Sequence, residues 1–234
     1  MPEEKGRRQA FQFYGRRKGR RLRQGRRSLY DALLPQLTVA LPREGAALDP
    51  RALFDPPPRA VWLEIGFGGG EHLAAQAAAH PDIGFIGCEV FEAGIASMLG
   101  HIAEAGLRNV RLHPEDAREL LAVLAPRSLD RVFLLFPDPW PKRRHEQRRF
   151  IGGANLDRLA GLMRPGAELR VASDDTTYQE WVLRHVPVHP AFRWQARSPS
   201  DWLERPADAI ETRYEKKARA AGRTPMFFRF TRKE

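Results

Sequence analysis

The sequence has a single cysteine among 234 residues, Cys88, so it can form no internal disulfide and no metal site built from cysteines. The seven histidines show no spacing typical of metal ligands, and we expect no metal. No apolar run approaches the roughly 20 residues that cross a bilayer, and the charged N-terminus is unlike a signal peptide. We therefore expect a cytoplasmic protein that does not bind membranes. Cys88 lies in an apolar run, which predicts a small core residue.

Acidic residues are scarce in one part of the chain, the N-terminus. Residues 1–27 contain eleven lysines and arginines but two glutamates, and carry +9 of the formal net charge of +10. A nearly neutral body with a basic arm is typical of nucleic-acid-binding proteins. Phe11, Phe13 and Tyr14 lie between the arginine clusters and would either stack on bases or anchor the arm. The alternative is a solvated tail without a specific role.

Glycine is abundant at one point, directly after an apolar run. Residues 61–70 read VWLEIGFGGG, and an alanine-rich stretch predicted to be helical follows. Strand, glycine turn and helix N-terminus form the nucleotide-binding corner of an open α/β sheet. The dinucleotide fingerprint G-x-G-x-x-G fails, because its third glycine would fall on Glu71 or Leu73. A nicotinamide dehydrogenase is therefore disfavoured.

Acidic residues at predicted strand ends indicate the kind of ligand. Glu64 stands two residues before Gly66, where a carboxylate would repel a pyrophosphate but suit the ammonium group of S-adenosylmethionine. Glu89 ends the second predicted strand, the expected place for a partner of ribose hydroxyls. Asp116 follows the third, where it would bind an adenine amino group, cap the next helix or do both. The alternative is that the glycines serve only the geometry of the turn.

A proline-rich loop, FPDPWPK, follows the fourth predicted strand at residues 136–142. Its three prolines alternate with an acid, an aromatic residue and a base, which predicts a rigid loop that presents three functional side chains. Four arginines come soon after it, Arg143, Arg144, Arg148 and Arg149. Ligands of open α/β sheets bind outside the carboxyl ends of the strands at the switch point, so the loop is predicted to face the Gly66 turn. A loop that only caps the sheet is the alternative.

The hydrophobic periodicity predicts one domain over residues 56–234, preceded by a basic arm and linker over residues 1–55. Strands are expected at 61–65, 83–89, 109–113, 128–136, 167–172, 189–196 and 226–231. Helices are expected at 28–37, broken at Pro35, and at 73–80, 91–106, 117–124, 155–163 and 176–186, and residues 49–58 are expected to be a stiff linker. Seven strands alternating mostly with helices indicate the α/β class.

Together these motifs resemble the bacterial tRNA (guanine-N7-)-methyltransferases, the TrmB family, over about residues 55–231. EIGFGGG, FIGCEV, FPDPWPKRRH and TRYEKK match the family pattern in the family's order. The resemblance implies a Rossmann-like class I S-adenosylmethionine-dependent methyltransferase fold, with a mostly parallel seven-stranded sheet and helices on both faces. It also implies an enzyme that transfers a methyl group from S-adenosylmethionine to N7 of a tRNA guanosine, the one at position 46 of the variable loop.

The resemblance further implies which residues form the site. The cofactor-binding positions that it implies are Glu64, Gly66, Gly68, Gly70, Glu89, Asp116 and Asp138, and Asp138 is also the implied catalytic residue. The substrate-binding positions that it implies are Lys142, Asp174, Thr212, Arg213, Tyr214 and Glu215. Two departures from the family pattern bear on the grip on tRNA. The stretch 145–147 is less basic than is usual, and Asp175 follows Asp174 where a neutral residue is commoner.

The chemistry of guanine N7 predicts what these side chains do. N7 has a lone pair and no proton, so the reaction needs alignment and nearby negative charge rather than a general base. Asp138, between two prolines, suits that role. Asp174 and Glu215 would accept hydrogen bonds from guanine N1–H and its amino group, and Lys142 would hold a phosphate.

Two rival functions stay open at this point. One is a methyltransferase of an exocyclic base amino group, whose loop typically reads Asp/Asn-Pro-Pro-aromatic rather than Pro-Asp-Pro-Trp. The other is a non-catalytic RNA-binding protein with the same fold. The sequence leaves the oligomeric state open and slightly favours a monomer.

Overall fold

A seven-stranded sheet forms the centre of the protein in a computed structural model that describes residues 15–43 and 45–234. Its strands are β1 Ala60–Ile65, β2 Ile83–Cys88, β3 Val110–His113, β4 Leu129–Leu135, β5 Met163–Ser173, β6 Phe192–Trp194 and β7 Met226–Arg232. They lie in the order β3-β2-β1-β4-β5-β7-β6. Strands β1 to β5 are parallel, and β7 is antiparallel to both of its neighbours. The predicted mostly parallel sheet of seven strands is confirmed.

Helices cover both faces of this sheet, as predicted. The α-helices of the described residues are α1 Gln24–Leu37, α2 Glu71–Ala79, α3 Glu92–Ala105, α4 Ala117–Leu121, α5 Gly153–Leu162, α6 Thr176–His185, α7 Ser200–Leu203 and α8 Arg213–Ala220. Because successive strand residues point to opposite faces, β1 contributes to two cores. Val61 and Leu63 pack with α4, α5 and α6, whereas Trp62 packs with α1, α2 and α3. A strand buried on both faces is mostly apolar, and β1 is fully buried with Glu64 as its one charged residue.

Local capping signals in the sequence mark several element ends correctly. Helix α3 ends at Gly106, whose left-handed φ of 61° closes the helix, as predicted. Helix α2 ends at Ala79, one residue before the predicted end at His80 and ahead of Pro81 as predicted. Helix α4 is shorter than expected and ends at Leu121, while β5 begins four residues early, at Met163. The early start of β5 accompanies a shift in its register against β4 between Leu129 and Arg131.

The prediction that Pro35 breaks the first helix is wrong. Helix α1 continues through Pro35 to Leu37, and the amide of Thr38 still donates to the carbonyl of Leu34. A proline inside a helix removes one hydrogen bond and costs about 3 kcal/mol, so other interactions must offset it. Leu34 and Leu37 are buried against α3, and this packing keeps the helix intact.

The stretch predicted as a linker is packed as well. Residues Pro50–Leu53 form a 3-10 helix, which Asp49 caps by accepting a hydrogen bond from the Arg51 amide. Phe54 follows it and is buried in the core beside β1. A proline-rich composition predicted a stiff segment, but it could not show that a large aromatic ring in that segment is covered by the domain. Residues 11, 13 and 14, the aromatic residues of the arm, lie outside the described residues.

No helix within residues 15–43 and 45–234 is long and apolar enough to cross a membrane.

We expect Leu34→Ala to lower the free energy of unfolding by about 2–3 kcal/mol, the low end for a buried leucine because the side chain lies at the edge of its core. Urea denaturation followed by tryptophan fluorescence measures the change. The matched control is Leu41→Ala, since Leu41 is 38% exposed and its loss should stay within about 0.5 kcal/mol. Equal effects of the two substitutions would contradict the packing of α1 on the domain.

Candidate active site

A cleft of about 430 Å³ opens at the carboxyl ends of β1, β2 and β4. A cavity of this size suits a cofactor-sized molecule. The strand order reverses between β1 and β4, so the cleft lies at the switch point where open α/β sheets bind ligands. Gly66, after β1, and Asp138, after β4, both line it. The prediction that the proline-rich loop faces the glycine turn is therefore confirmed.

The glycine turn is packed so tightly that one glycine allows no side chain. Gly68 has a left-handed φ of 57°, and a Cβ added there would lie 2.9 Å from the ring of Tyr214. On the other side, a Cβ at Gly94 of α3 would lie 2.2 Å from the carbonyl oxygen of Gly68. The turn is held between the Tyr214 ring and α3, and both Gly68 and Tyr214 line the cleft.

Glu89, at the end of β2, braces the turn with its carboxylate. One oxygen accepts a hydrogen bond from the amide of Gly68 at 2.8 Å. The other accepts from the amides of Val90 at 2.8 Å and Phe91 at 2.9 Å, where α3 begins. A carboxylate has about four lone-pair sites, so three amide donors leave room for one more. Glu89 also lines the cleft, and its predicted contact with ribose hydroxyls stays a prediction.

Asp116 fulfils the capping role that the sequence had left open. Its side chain accepts from the Arg118 amide at 2.9 Å, at the start of α4, and also from the Arg118 guanidinium. Asp116 also lines the cleft, so the residue that caps α4 lies where the contact with an adenine amino group is predicted. The neighbouring Glu115 also lines the cleft and forms an ion pair with Arg17.

Glu64 and Gly70 lie away from the cleft, although both are implied cofactor residues. The carboxylate of Glu64 is buried and lies 2.7 Å from Nδ1 of His72 on α2. A Cβ at Gly70 would lie 2.4 Å from the sulfur of Met98, so Gly70 allows α2 and α3 to pack closely. Neither residue is part of the cleft wall in this conformation. Their cofactor contacts stay predictions.

The loop after β4 contains backbone conformations that are rare without glycine. Phe136 and Trp140, on either side of Asp138, have positive φ values of 51° and 44°. The Phe136 amide donates to the Ala172 carbonyl of β5 at 2.8 Å, which ties the start of the loop to the sheet. Asp138 is exposed at the cleft, and among the described residues nothing forms a hydrogen bond or ion pair with its carboxylate.

Of the implied substrate residues, Tyr214 lines the cleft, and most of the others have partners within the protein. Thr212 caps α8 by accepting from the Glu215 amide, and Arg213 lies 3.6 Å from Glu71. Asp174 forms an ion pair with Arg223 at 2.6 Å. Lys142 is exposed at the end of the proline-rich loop.

Glu215, which is predicted to bind the guanine edge, is buried and has partners within the protein. It is 1% exposed, and its oxygens lie 2.9 Å from Arg219 and 3.4 Å from Arg205. A buried carboxylate with two guanidinium partners holds the first turn of α8 in place. Because its carboxylate is already paired with two arginines, its contact with the guanine edge stays a prediction.

The comparisons with known proteins agree with this geometry. A family model described as "Putative methyltransferase" matches residues 58–227. A tRNA (guanine-N(7)-)-methyltransferase of Rhodospirillum rubrum is 58% identical over 223 residues, which cover 94% of this chain and 88% of that protein. The chain belongs to the tRNA (guanine-N(7)-)-methyltransferase family. A second member, from Rhizobium meliloti, is 45% identical over 99% of this chain and 100% of its own length.

Solved structures show the fold of this family member at lower identity. A variant of the 16S rRNA (adenine(1408)-N(1))-methyltransferase from Catenulisporales acidiphilia, solved with the cosubstrate SAM, has a TM-score of 0.52 at 18% identity. The match covers 85% of this chain and 97% of that chain. The 16S rRNA methyltransferase KamB has a TM-score of 0.53 at 16% identity, covering 76% and 89%. The predicted Rossmann-like class I methyltransferase fold is confirmed.

Sequence reasoning missed several residues that shape the site of this methyltransferase. Gly15 and Arg16, read as part of a free arm, line the cleft, and the Arg17 carbonyl accepts from the Glu92 amide of α3 at 3.0 Å. His72, just before the predicted helix, had no assigned role, although its partner Glu64 is only eight residues away. The partners of Arg17 lie far along the chain, so no local pattern identifies its contacts.

Cys88 is buried at the end of β2, as predicted, and is one of the residues that line the cleft. Burial raises the pKa of its thiol, so the group stays protonated and acts as a small apolar residue. Among the described residues, no three or more His, Cys, Asp and Glu side chains gather as a metal site would require.

We expect Gly68→Ala to destabilise the protein mainly through Tyr214. In a double-mutant cycle, its cost in free energy of unfolding should be smaller by about 1 kcal/mol or more when Tyr214→Ala is also present, because the clash has been removed. Gly66→Ala is the control, since a Cβ there meets no atom within 4 Å and adds only backbone strain. Equal costs of Gly68→Ala in both backgrounds would contradict the packing described.

Proposed function

We propose that this protein transfers a methyl group from S-adenosylmethionine to N7 of a guanosine in tRNA, at position 46 of the variable loop. The observation that carries the proposal is the single cleft shared by Glu89, the glycine turn and Asp138, at the switch point of the sheet. The names of the relatives support the tRNA substrate and the atom that is methylated. The target position rests on the resemblance of the motifs.

The residues of the cleft fit S-adenosylmethionine. Glu89 keeps an acceptor site for a ribose hydroxyl, and Asp116 is placed for an adenine amino group at the end of β3. At Gly66 a Cβ would meet nothing within 4 Å, so the backbone of the turn has open space above it. Acidic side chains around the cleft also suit a ligand with a positive sulfonium. When bound, the cofactor supplies an electrophilic methyl group.

Asp138 provides the charge that the reaction needs. Attack by guanine N7 makes the purine cationic, and a carboxylate fixed beside it stabilises that charge. Pro137 and Pro139 restrict the backbone on both sides of Asp138, so little reorganisation is needed at the moment of reaction. No proton leaves N7, and Asp138 therefore acts by orientation and electrostatics rather than as a base.

Exposed cations beside the cleft are placed to hold tRNA phosphates. Three exposed basic residues stand at the end of the proline-rich loop and directly after it, and two more lie on the outer face of α8: Lys142, Arg143, Arg144, Lys216 and Lys217. Contacts of this kind give affinity and register but carry no base information. The target guanosine must be unstacked to reach the cleft.

Asp174 is the better of the two predicted acids for selecting guanine. Its side chain is 20% exposed, so one oxygen can accept a hydrogen bond from the base while Arg223 holds the other. The segment that leads into α8 is fixed by Arg170, whose guanidinium donates two hydrogen bonds of 2.8 Å to Asp208. These bonds lower the pKa of the Asp208 carboxyl, so the pair stays ionised at neutral pH.

The proposal is tested by incubating the protein with methyl-labelled S-adenosylmethionine and unmodified tRNA, digesting the RNA and separating the nucleosides. We expect the label in 7-methylguanosine, mapped to the variable loop. Label on an exocyclic amino group would support the rival methyltransferase instead. No label above the level of a heat-inactivated sample would support a non-catalytic RNA-binding protein.

We expect Asp138→Asn to keep cofactor and tRNA binding but to slow methyl transfer by about a hundredfold, the order found when one preorganised charge-stabilising group is removed. The amide keeps the shape of the side chain and removes its charge. Single-turnover rates on the preformed complex measure the effect. Asp157→Asn, on the exposed side of α5, is the charge-matched control. A rate within about twofold of the parent would rule out the electrostatic role, because tenfold corresponds to only about 1.4 kcal/mol.

We also expect Glu89→Gln to weaken binding of S-adenosylhomocysteine by about tenfold or more, since a hydrogen bond to a charged group contributes about 1.5–3 kcal/mol. Calorimetric titration measures it, with Glu104→Gln on the exposed side of α3 as the control. Unchanged affinity in Glu89→Gln would remove Glu89 from the cofactor site. Glu64→Gln in the same series shows whether the carboxylate held by His72 contributes at all.

A further inference from the structure

We propose that Arg149 is a positioning residue for Asp138, which it fixes at the cleft by binding the two peptide carbonyls that follow it. The proposal rests on the proposed function, in which Asp138 stabilises the transition state. Nε of Arg149 donates to the carbonyl of Pro139 at 3.0 Å. The carbonyl of Trp140 accepts from Nη2 at 2.9 Å and from Nε at 3.3 Å. One guanidinium therefore grips two consecutive peptide groups, beginning at the residue after Asp138.

The proline-rich loop needs such an external donor. Pro137, Pro139 and Pro141 have no amide hydrogen, so the loop cannot build a ladder of its own hydrogen bonds. Phe136 and Trp140 adopt left-handed backbone conformations, which the surrounding structure must impose. Carbonyl groups that lack a backbone donor must be satisfied by side chains or water. The fork of Arg149 provides donors in a fixed geometry at the Trp140 end of the loop.

Asp138 has no side-chain contact that would place it independently. Within the described residues, no donor and no cation lies within bonding distance of its carboxylate. The backbone of the loop therefore sets the Cα position of Asp138 and with it the region that the carboxylate can reach. Whatever fixes the peptides beside Asp138 also fixes the charge that faces the base, and a displacement of about 1 Å in such a group can cost about a hundredfold in rate.

Arg149 is itself held rigidly enough to act as a fixed point. Its side chain is 2% exposed, and its guanidinium carbon lies 4.4 Å from the ring centre of Trp181 on α6. The Trp181 indole donates to the Ile151 carbonyl at 2.6 Å, and the His185 ring stacks on it at 3.8 Å. The Glu146 carboxylate is 4.0 Å away, at the limit of an ion pair. The two loop carbonyls are the hydrogen-bond acceptors of this buried charge, and the Trp181 ring adds a cation–π contact.

The sequence alone does not distinguish Arg149 from the other arginines that follow the loop. Arg149 is the fourth of the arginines after the loop, and the other three are exposed or half-buried, as phosphate-binding residues are. Burial separates Arg149 from them. A lysine in its place would keep the charge but lose the planar fork that spans two carbonyls.

The test is a double-mutant cycle on the methyl-transfer step with the full-length protein. Arg149→Lys should slow single-turnover transfer to tRNA by about ten- to a hundredfold, while the affinity for S-adenosylhomocysteine and for tRNA stays within about twofold. In the Asp138→Asn background the same substitution should have almost no further effect, because Arg149 acts through the Asp138 charge. Arg108→Lys is the matched control, an exposed arginine just before β3 at the opposite edge of the sheet.

A readout specific for the fork comes from rescue. Guanidinium ion added to Arg149→Ala should restore part of the transfer rate, and it should not accelerate Asp138→Asn. If Arg149→Lys loses its cooperative thermal transition, Trp181→Phe replaces it in the double-mutant cycle. That substitution weakens the packing against the Arg149 guanidinium but leaves the guanidinium itself in place.

Three outcomes overturn the proposal. The first is a methyl-transfer rate in Arg149→Lys equal to that of the parent. The second is a loss of rate from Arg149→Lys that is as large in the Asp138→Asn background as in the parent. The third is a loss explained by weaker cofactor or tRNA binding. If the parent transfers no methyl group to tRNA, the proposed function fails and this role for Arg149 fails with it. A fully active parent with an unaffected Arg149→Lys variant overturns the positioning role alone.

Discussion

The carboxylate of Glu89 is the contact on which the cleft depends. It binds the Gly68 amide of the glycine turn and the Val90 and Phe91 amides that lead into α3. The end of β2, the turn after β1 and the start of a helix thus share one anion. The same carboxylate lines the cleft, and in the proposed function its remaining acceptor site binds a ribose hydroxyl.

The loop after β4 holds the Asp138 carboxylate at the cleft with no hydrogen bond to that carboxylate from the described residues. Under the proposed function, hydrogen bonds to the Asp138 carboxylate would fix it but would also reduce the negative charge available to a cationic purine. Prolines restrict the backbone on both sides of it, and the fork of Arg149 holds the peptides that follow. The carboxylate is placed through its backbone and keeps its charge exposed to the cleft.

Local signals predicted the elements well and the long-range contacts poorly. Gly106 and Asp116 mark helix ends through their own backbone and side-chain chemistry, so the sequence was enough. Pro35 misled because burial of its helix, which local pattern cannot show, outweighs the lost hydrogen bond. Arg17 pairs with Glu115 across 98 residues, and Arg149 differs from its neighbouring arginines only by burial. Such facts depend on tertiary packing, which periodicity does not encode.

The four acidic residues that the motifs implied for the cofactor differ in the partners that they already have in the protein. Glu64 lies against His72, Asp116 caps α4 and binds Arg118, and Glu89 accepts three backbone amides. Each of these three carboxylates is therefore already bound by other groups of the protein. Asp138 alone among the four has no such partner within the described residues. If one carboxylate must respond to a positive charge that appears on the base, it is the one whose field the protein has not already neutralised.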